Sequence, residues 1–110
     1  MKKLVLELEY MNGPILKDKF DIQRSELCTG IEQVDADEYL NTLNEEIQEV
    51  YTALFRFDEK EEAVLFDDVA AKGAKEWFLS KMNELSKYLK SINDGSFCIE
   101  DRVTEYLKKL

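Results

Sequence analysis

Two apolar stripes at helical spacing constrain this chain more than any other feature. Leu40, Leu43, Ile47, Val50 and Leu54 follow one another at steps of three and four residues, and Ala74, Phe78, Met82, Leu85, Leu89 and Ile92 repeat the pattern. An α-helix turns once in about 3.6 residues, so each series draws one apolar line that must be buried against another element. Asp35 followed by Glu38 reads as an acidic variant of the capping box, so the first helix is expected from there to near Phe55. The second is expected to start at a cap on Asp67 or Asp68 and to stop at Asn93-Asp94-Gly95, where Gly95 suits the left-handed position beyond a helix end.

The N-terminus follows a different period. Leu4, Leu6, Leu8 and Tyr10 alternate with Val5, Glu7 and Glu9, which predicts a strand with one buried face. Asn12-Gly13-Pro14 then marks a turn. As a three-residue loop it would set Glu9 against Lys17, Glu7 against Lys19, Leu6 against Phe20 and Leu4 against Ile22, leaving one misfit at Leu8 and Asp18.

Glu26 to Thr29 is a candidate third strand, ended by Gly30. Residues 55–66 read either as a loop anchored by Val64 to Phe66 or as a hairpin closed by charged residues. Phe97 and Ile99 suit one face of a short strand, and Val103, Tyr106, Leu107 and Leu110 suit a last helix. The expectation is one α+β domain over residues 1–110: a small antiparallel sheet, made of the N-terminal hairpin and the candidate third strand, packed on two long amphipathic helices and a short C-terminal helix.

Several chemistries are excluded or disfavoured by residue type. The chain has no histidine, which removes histidine bases, histidine-activated nucleophiles and histidine metal sites. Cys28 and Cys98 are too few for a structural zinc site and are expected as small core residues in a reduced cytoplasmic protein. Glu7 and Glu9 interrupt the apolar run too early for a secretory leader, and no run approaches the roughly 18 apolar residues of a membrane span. The four glycines, at 13, 30, 73 and 95, are too scattered for a phosphate-cradling loop, and no cofactor is implied.

Charge is the informative remainder. Residues 1–34 carry 5 basic and 6 acidic groups, 35–68 carry 2 and 12, and 69–110 carry 8 and 6. The net −9 is therefore concentrated in the first long helix and the segment after it. Glu38, Asn41, Glu45 and Glu49 lie away from the apolar stripe, and like charges four residues apart repel unless a cation approaches. Lys72, Lys75, Lys81, Lys87 and Lys90 of the second helix could supply one, which would make the acidity purely structural.

The alternative is a docking surface for a basic protein, formed by Glu38, Glu45, Glu46, Glu49, Asp58, Glu59, Glu61 and Glu62. Direct nucleic-acid binding needs the opposite sign of field. Small acidic proteins that block a nuclease toxin or mimic DNA use the same physics, so the expected function is non-enzymatic inhibition of the immunity or antitoxin kind.

Two metal readings compete with it. Asp35, Asp37 and Glu46 match positions one, three and twelve of a calcium loop, but Leu40 stands where the turn requires glycine. Glu45, Glu46 and Glu49 form an EExxE pattern that resembles half of the magnesium site of all-α nucleoside triphosphate pyrophosphohydrolases, over five residues. The resemblance implies a small metal-dependent hydrolase with a second ExxD pair; no such spacing follows Glu49, and Asp67 and Asp68 are the remaining acidic pair. A structural module without a ligand is the third reading. Trp77 is expected at a core boundary, and the edges carrying it and Tyr39, Tyr51, Tyr88 and Tyr106 permit a homodimer.

Overall fold

Both stripes form helices and face each other. The computed structural model describes residues 1–57 and 64–110. Its elements are β1 (Lys2–Leu6), β2 (Lys19–Asp21), β3 (Glu26–Cys28), α1 (Glu32–Asp35), α2 (Glu38–Thr52), β4 (Phe55–Phe57), β5 (Val64–Phe66), α3 (Asp68–Ile92), β6 (Phe97–Asp101) and α4 (Val103–Lys108). The fold is α+β, as expected. Among the described residues no helix is long and apolar enough to cross a membrane.

α2 buries Leu40, Leu43, Asn44, Ile47 and Tyr51, and α3 buries Ala71, Phe78, Met82, Leu85 and Leu89. Leu4, Leu6, Phe97, Val103 and Leu107 join the same core from β1, β6 and α4. The cap of α2 is Asp37 rather than Asp35: its carboxylate accepts from the Leu40 amide at 3.0 Å. Asp35 instead closes α1, and its carboxylate accepts from the Thr29 amide, the Thr29 hydroxyl and the Gly30 amide. α2 also stops short of Phe55, which opens β4 and packs its ring 5.4 Å from Tyr51 and 5.1 Å from Phe66. The hairpin reading of this region holds, with β4 and β5 antiparallel and Phe55 opposite Phe66. Asp67 caps α3, Asn93 is its C-cap, and Gly95 takes a φ of +93° two residues later.

The sheet differs from expectation. β1 pairs in parallel with β6, Leu4 opposite Ile99, instead of antiparallel with residues 17–22. The N-terminal hairpin is real but short: Leu6 bridges Ile15, Glu9 bridges Asn12, and pairing ends with the Leu16 amide donating to the Val5 carbonyl at 3.1 Å. The reversal falls at Tyr10 and Met11, ahead of Asn12-Gly13-Pro14, and that moves the register. Gly13 sits at φ +94° so close to β1 that a Cβ there would lie 1.9 Å from the Glu7 carbonyl oxygen. Freed from β1, β2 pairs with β3, the candidate third strand, as a separate hairpin with Phe20 opposite Leu27. Phe20 and Ile22, expected against Leu6 and Leu4, are 63% and 83% exposed. Cys98 is exposed and Cys28 half-buried, both as free thiols, so neither is a core residue.

Candidate functional site

On α2 the core side is defined by Leu40, Leu43, Ile47 and Tyr51. At about 100° per residue, Glu38, Glu45 and Glu49 fall on the line opposite it, while Tyr39 and Glu46 fall on the flank toward α3. All four glutamates are exposed, but their surroundings differ. Glu46 is bridged by Lys81 of α3 at 3.0 Å. Among the described residues no ion pair joins Glu38, Glu45 or Glu49 to a lysine or arginine, and none involves Lys72, Lys87 or Lys90. Lys75 donates to the Lys108 carbonyl at 3.1 Å. The second helix therefore neutralises one acidic residue of this face and leaves its outer line untouched.

The α3 flank is a polar seam. The Tyr39 hydroxyl donates to Glu84 at 2.5 Å and the Tyr88 hydroxyl to Asp37 at 2.7 Å, with the two rings 4.5 Å apart. Each hydroxyl is held above the ordinary phenol pKa, first by donating to its carboxylate and then by desolvation, so both stay protonated donors. Trp77 packs beside Phe78 at the core boundary, with the Lys81 ammonium 5.8 Å from its ring. Lys81 thus spans Glu46 and Trp77, which ties it to the seam.

The other side of α2 meets the N-terminal segments. Asn44, only 1% exposed, accepts the Ile15 amide at 2.8 Å and fastens the first hairpin to the helix. Farther out, a cleft of about 180 Å³ lies between α2 and the β2–β3 hairpin, lined by Lys17, Arg24, Glu26, Cys28, Asn41 and Glu45. Its charges are mixed, and Lys17 donates to Asn41 at 3.4 Å. Neither the buried Asn44 nor this cleft was visible in the sequence, because both depend on where the N-terminal hairpin turns back.

The carboxylates of the EExxE pattern do not converge. Glu46 is turned toward Lys81, away from the line shared by Glu45 and Glu49. Asp67 is committed elsewhere, capping α3 and pairing with Arg56 at 3.1 Å. The Ala70 amide and then Arg56 hold its carboxyl below the usual range. Among the described residues no group of three His, Cys, Asp or Glu side chains is placed to hold a metal ion. Asp58, Glu59, Glu61 and Glu62, the other half of the expected docking surface, lie outside the described residues.

The chain matches no protein-family model, and neither a curated protein nor a solved structure matches it.

Proposed function

We propose that this is a protein-binding domain whose outer α2 line, Glu38, Glu45 and Glu49, docks a basic partner, in the manner of an immunity or antitoxin-like inhibitor. One observation carries the reading: among the described residues, Glu46 is the only one of the four α2 glutamates ion-paired to a lysine or arginine. Neighbouring carboxylates that repel one another gain most from an external cation. A lysine- or arginine-rich surface, such as that of a nucleic-acid-binding protein, is the complementary chemistry. Long-range attraction would raise the association rate, and salt would screen it beyond about 8 Å at physiological ionic strength.

The test is capture from the source cell's lysate at low salt, with the wild type and an E38K/E45K/E49K variant as baits. The three positions lie off the core side, so the variant keeps its fold, checked by circular dichroism. The wild type is expected to retain basic proteins that the variant loses, with the difference shrinking as salt rises. Recovery of the same proteins by both baits would show that the acidic line only keeps the molecule hydrated.

A further inference from the structure

The cleft between α2 and the β2–β3 hairpin is lined by charges of both signs that do not cancel one another. On the α2 wall Asn41 and Glu45 stand four residues apart, a rise of about 6 Å, and the Asn41 side-chain carbonyl holds the Lys17 ammonium at 3.4 Å. On the β3 wall Glu26 and Cys28 are two residues apart, so both side chains leave the strand on one face. Asp35 also reaches the cleft, but its carboxylate already accepts from the Thr29 amide, the Thr29 hydroxyl and the Gly30 amide. Arg24 is drawn toward Asp21 and Glu32, at 3.7 and 3.9 Å. That leaves Lys17, Glu26 and Glu45: among the described residues none of the three forms an ion pair, although all line the same space.

Opposite charges that share a cleft without touching gain most from a molecule that bridges them. The volume of about 180 Å³ is several times what one water needs. The lining then selects the chemistry of the occupant. A simple anion drawn to Lys17 meets two glutamates, and a simple cation drawn to the glutamates meets Lys17 and Arg24. A metal ion is disfavoured as well, since among the described residues no three carboxylates or thiols are placed to hold one. A small molecule carrying both charges satisfies both at once. In an α-amino acid a single carbon separates the ammonium from the carboxylate, which suits the one-turn offset between the cation at Asn41 and the carboxylate of Glu45, and an ammonium has three donors to share between two carboxylates.

We infer that this cleft binds a free α-amino acid, its carboxylate on the Lys17 ammonium and its ammonium between Glu45 and Glu26, with its side chain toward Leu27 and Cys28. Water reaches the site and weakens each charge pair, so the dissociation constant falls on the order of 1 mM. The site does not depend on the docking of a basic partner at α2. Glu45 borders both surfaces, but the ligand here is a small molecule that binds the isolated protein.

Amide NMR of the purified full chain, titrated to about 20 mM with L-alanine and with L-leucine, tests the site. Both amino acids are expected to shift the amides of Asn41, Glu45 and Cys28 saturably. N-acetyl-L-alanine, which lacks the ammonium, and L-alaninamide, which lacks the carboxylate, should each bind about tenfold more weakly than L-alanine. Glu45→Gln and Lys17→Gln should each weaken L-alanine binding by about the same factor with an unchanged circular dichroism spectrum. Lys87→Gln, the same change of charge at an exposed position of α3 outside the cleft, should leave binding unaltered. No saturable shift with either amino acid, capped forms that bind as well as L-alanine, or either cleft variant binding as the wild type does would each overturn the inference, and none of these outcomes bears on capture of a basic protein.

Discussion

Glu45 and Glu46 are adjacent in sequence and about 100° apart on α2, and they belong to different parts of the protein. Glu46 sits on the α3 flank, where Lys81, Tyr39, Glu84, Tyr88 and Asp37 form a seam of paired polar groups. Glu45 sits on the outer line with Glu38 and Glu49, where no described cation pairs with it. The residue type and the local sequence are the same. What a glutamate does on this helix is set by its azimuth relative to α3, so the acidic segment cannot be treated as one surface: the α3 flank is ion-paired through Glu46, and the outer line is exposed with no ion pair among the described residues.

The sharpest way to break this division is at the third side of the helix, where Asn44 accepts the Ile15 amide inside the core. Asn44→Ala leaves that amide without a partner and should cost about 1–3 kcal/mol in urea unfolding. A loss below a few tenths would mean that the first hairpin does not depend on α2. Acid separates paired from unpaired carboxylates at a smaller scale. Glu100 is held below its ordinary value by hydrogen bonds from Lys3 and then Arg102, Asp94 by the Ser96 hydroxyl and amide, and Asp67 by the Ala70 amide and then Arg56. A depressed folded pKa stabilises above the unfolded value and is lost as pH falls through the folded one. Stability should therefore hold down to the ordinary values of 4.5 for Glu100 and 3.8 for the two aspartates, and decline below them. Asp67→Asn should flatten part of that decline when unfolding is followed from pH 5 to pH 2.

The smallest effects discriminate best between the flanks themselves. Glu46→Gln removes a partly exposed ion pair and should cost no more than about 1 kcal/mol. Glu45→Gln and Glu49→Gln relieve repulsion between residues four apart and should leave stability unchanged or raise it by a few tenths of a kcal/mol. Opposite signs in thermal melts would establish the division of α2, and equal signs would remove it.

The two long helices, a cap at Asp67 or Asp68, the stop after Ile92 and the concentration of acid in residues 35–68 were legible from the residues alone. Each is local: a periodic apolar line, a side chain within reach of the next turn's amides, or a count of charges. The choice of Asp37 over Asp35 as cap was not, because two carboxylates two residues apart offer equal chemistry and only the extended backbone at Asp37 aims one at α2. The partner of each glutamate was not legible either, since it depends on the placement of α3.

β1 marks the boundary most clearly. Alternation from Leu4 to Tyr10 shows that one face of a strand is buried, and Leu4 and Leu6 are buried. It says nothing of which chain segment lies along either edge. A turn at Tyr10 and Met11 ended the first hairpin at Leu16, β6 arrived from the far end of the chain to pair with β1 in parallel, and Phe20 was released to the surface. Side-chain pattern determines a strand's faces because burial acts on side chains. Its edges are backbone, nearly alike in every residue, and only the packing of the whole molecule decides which strand occupies them.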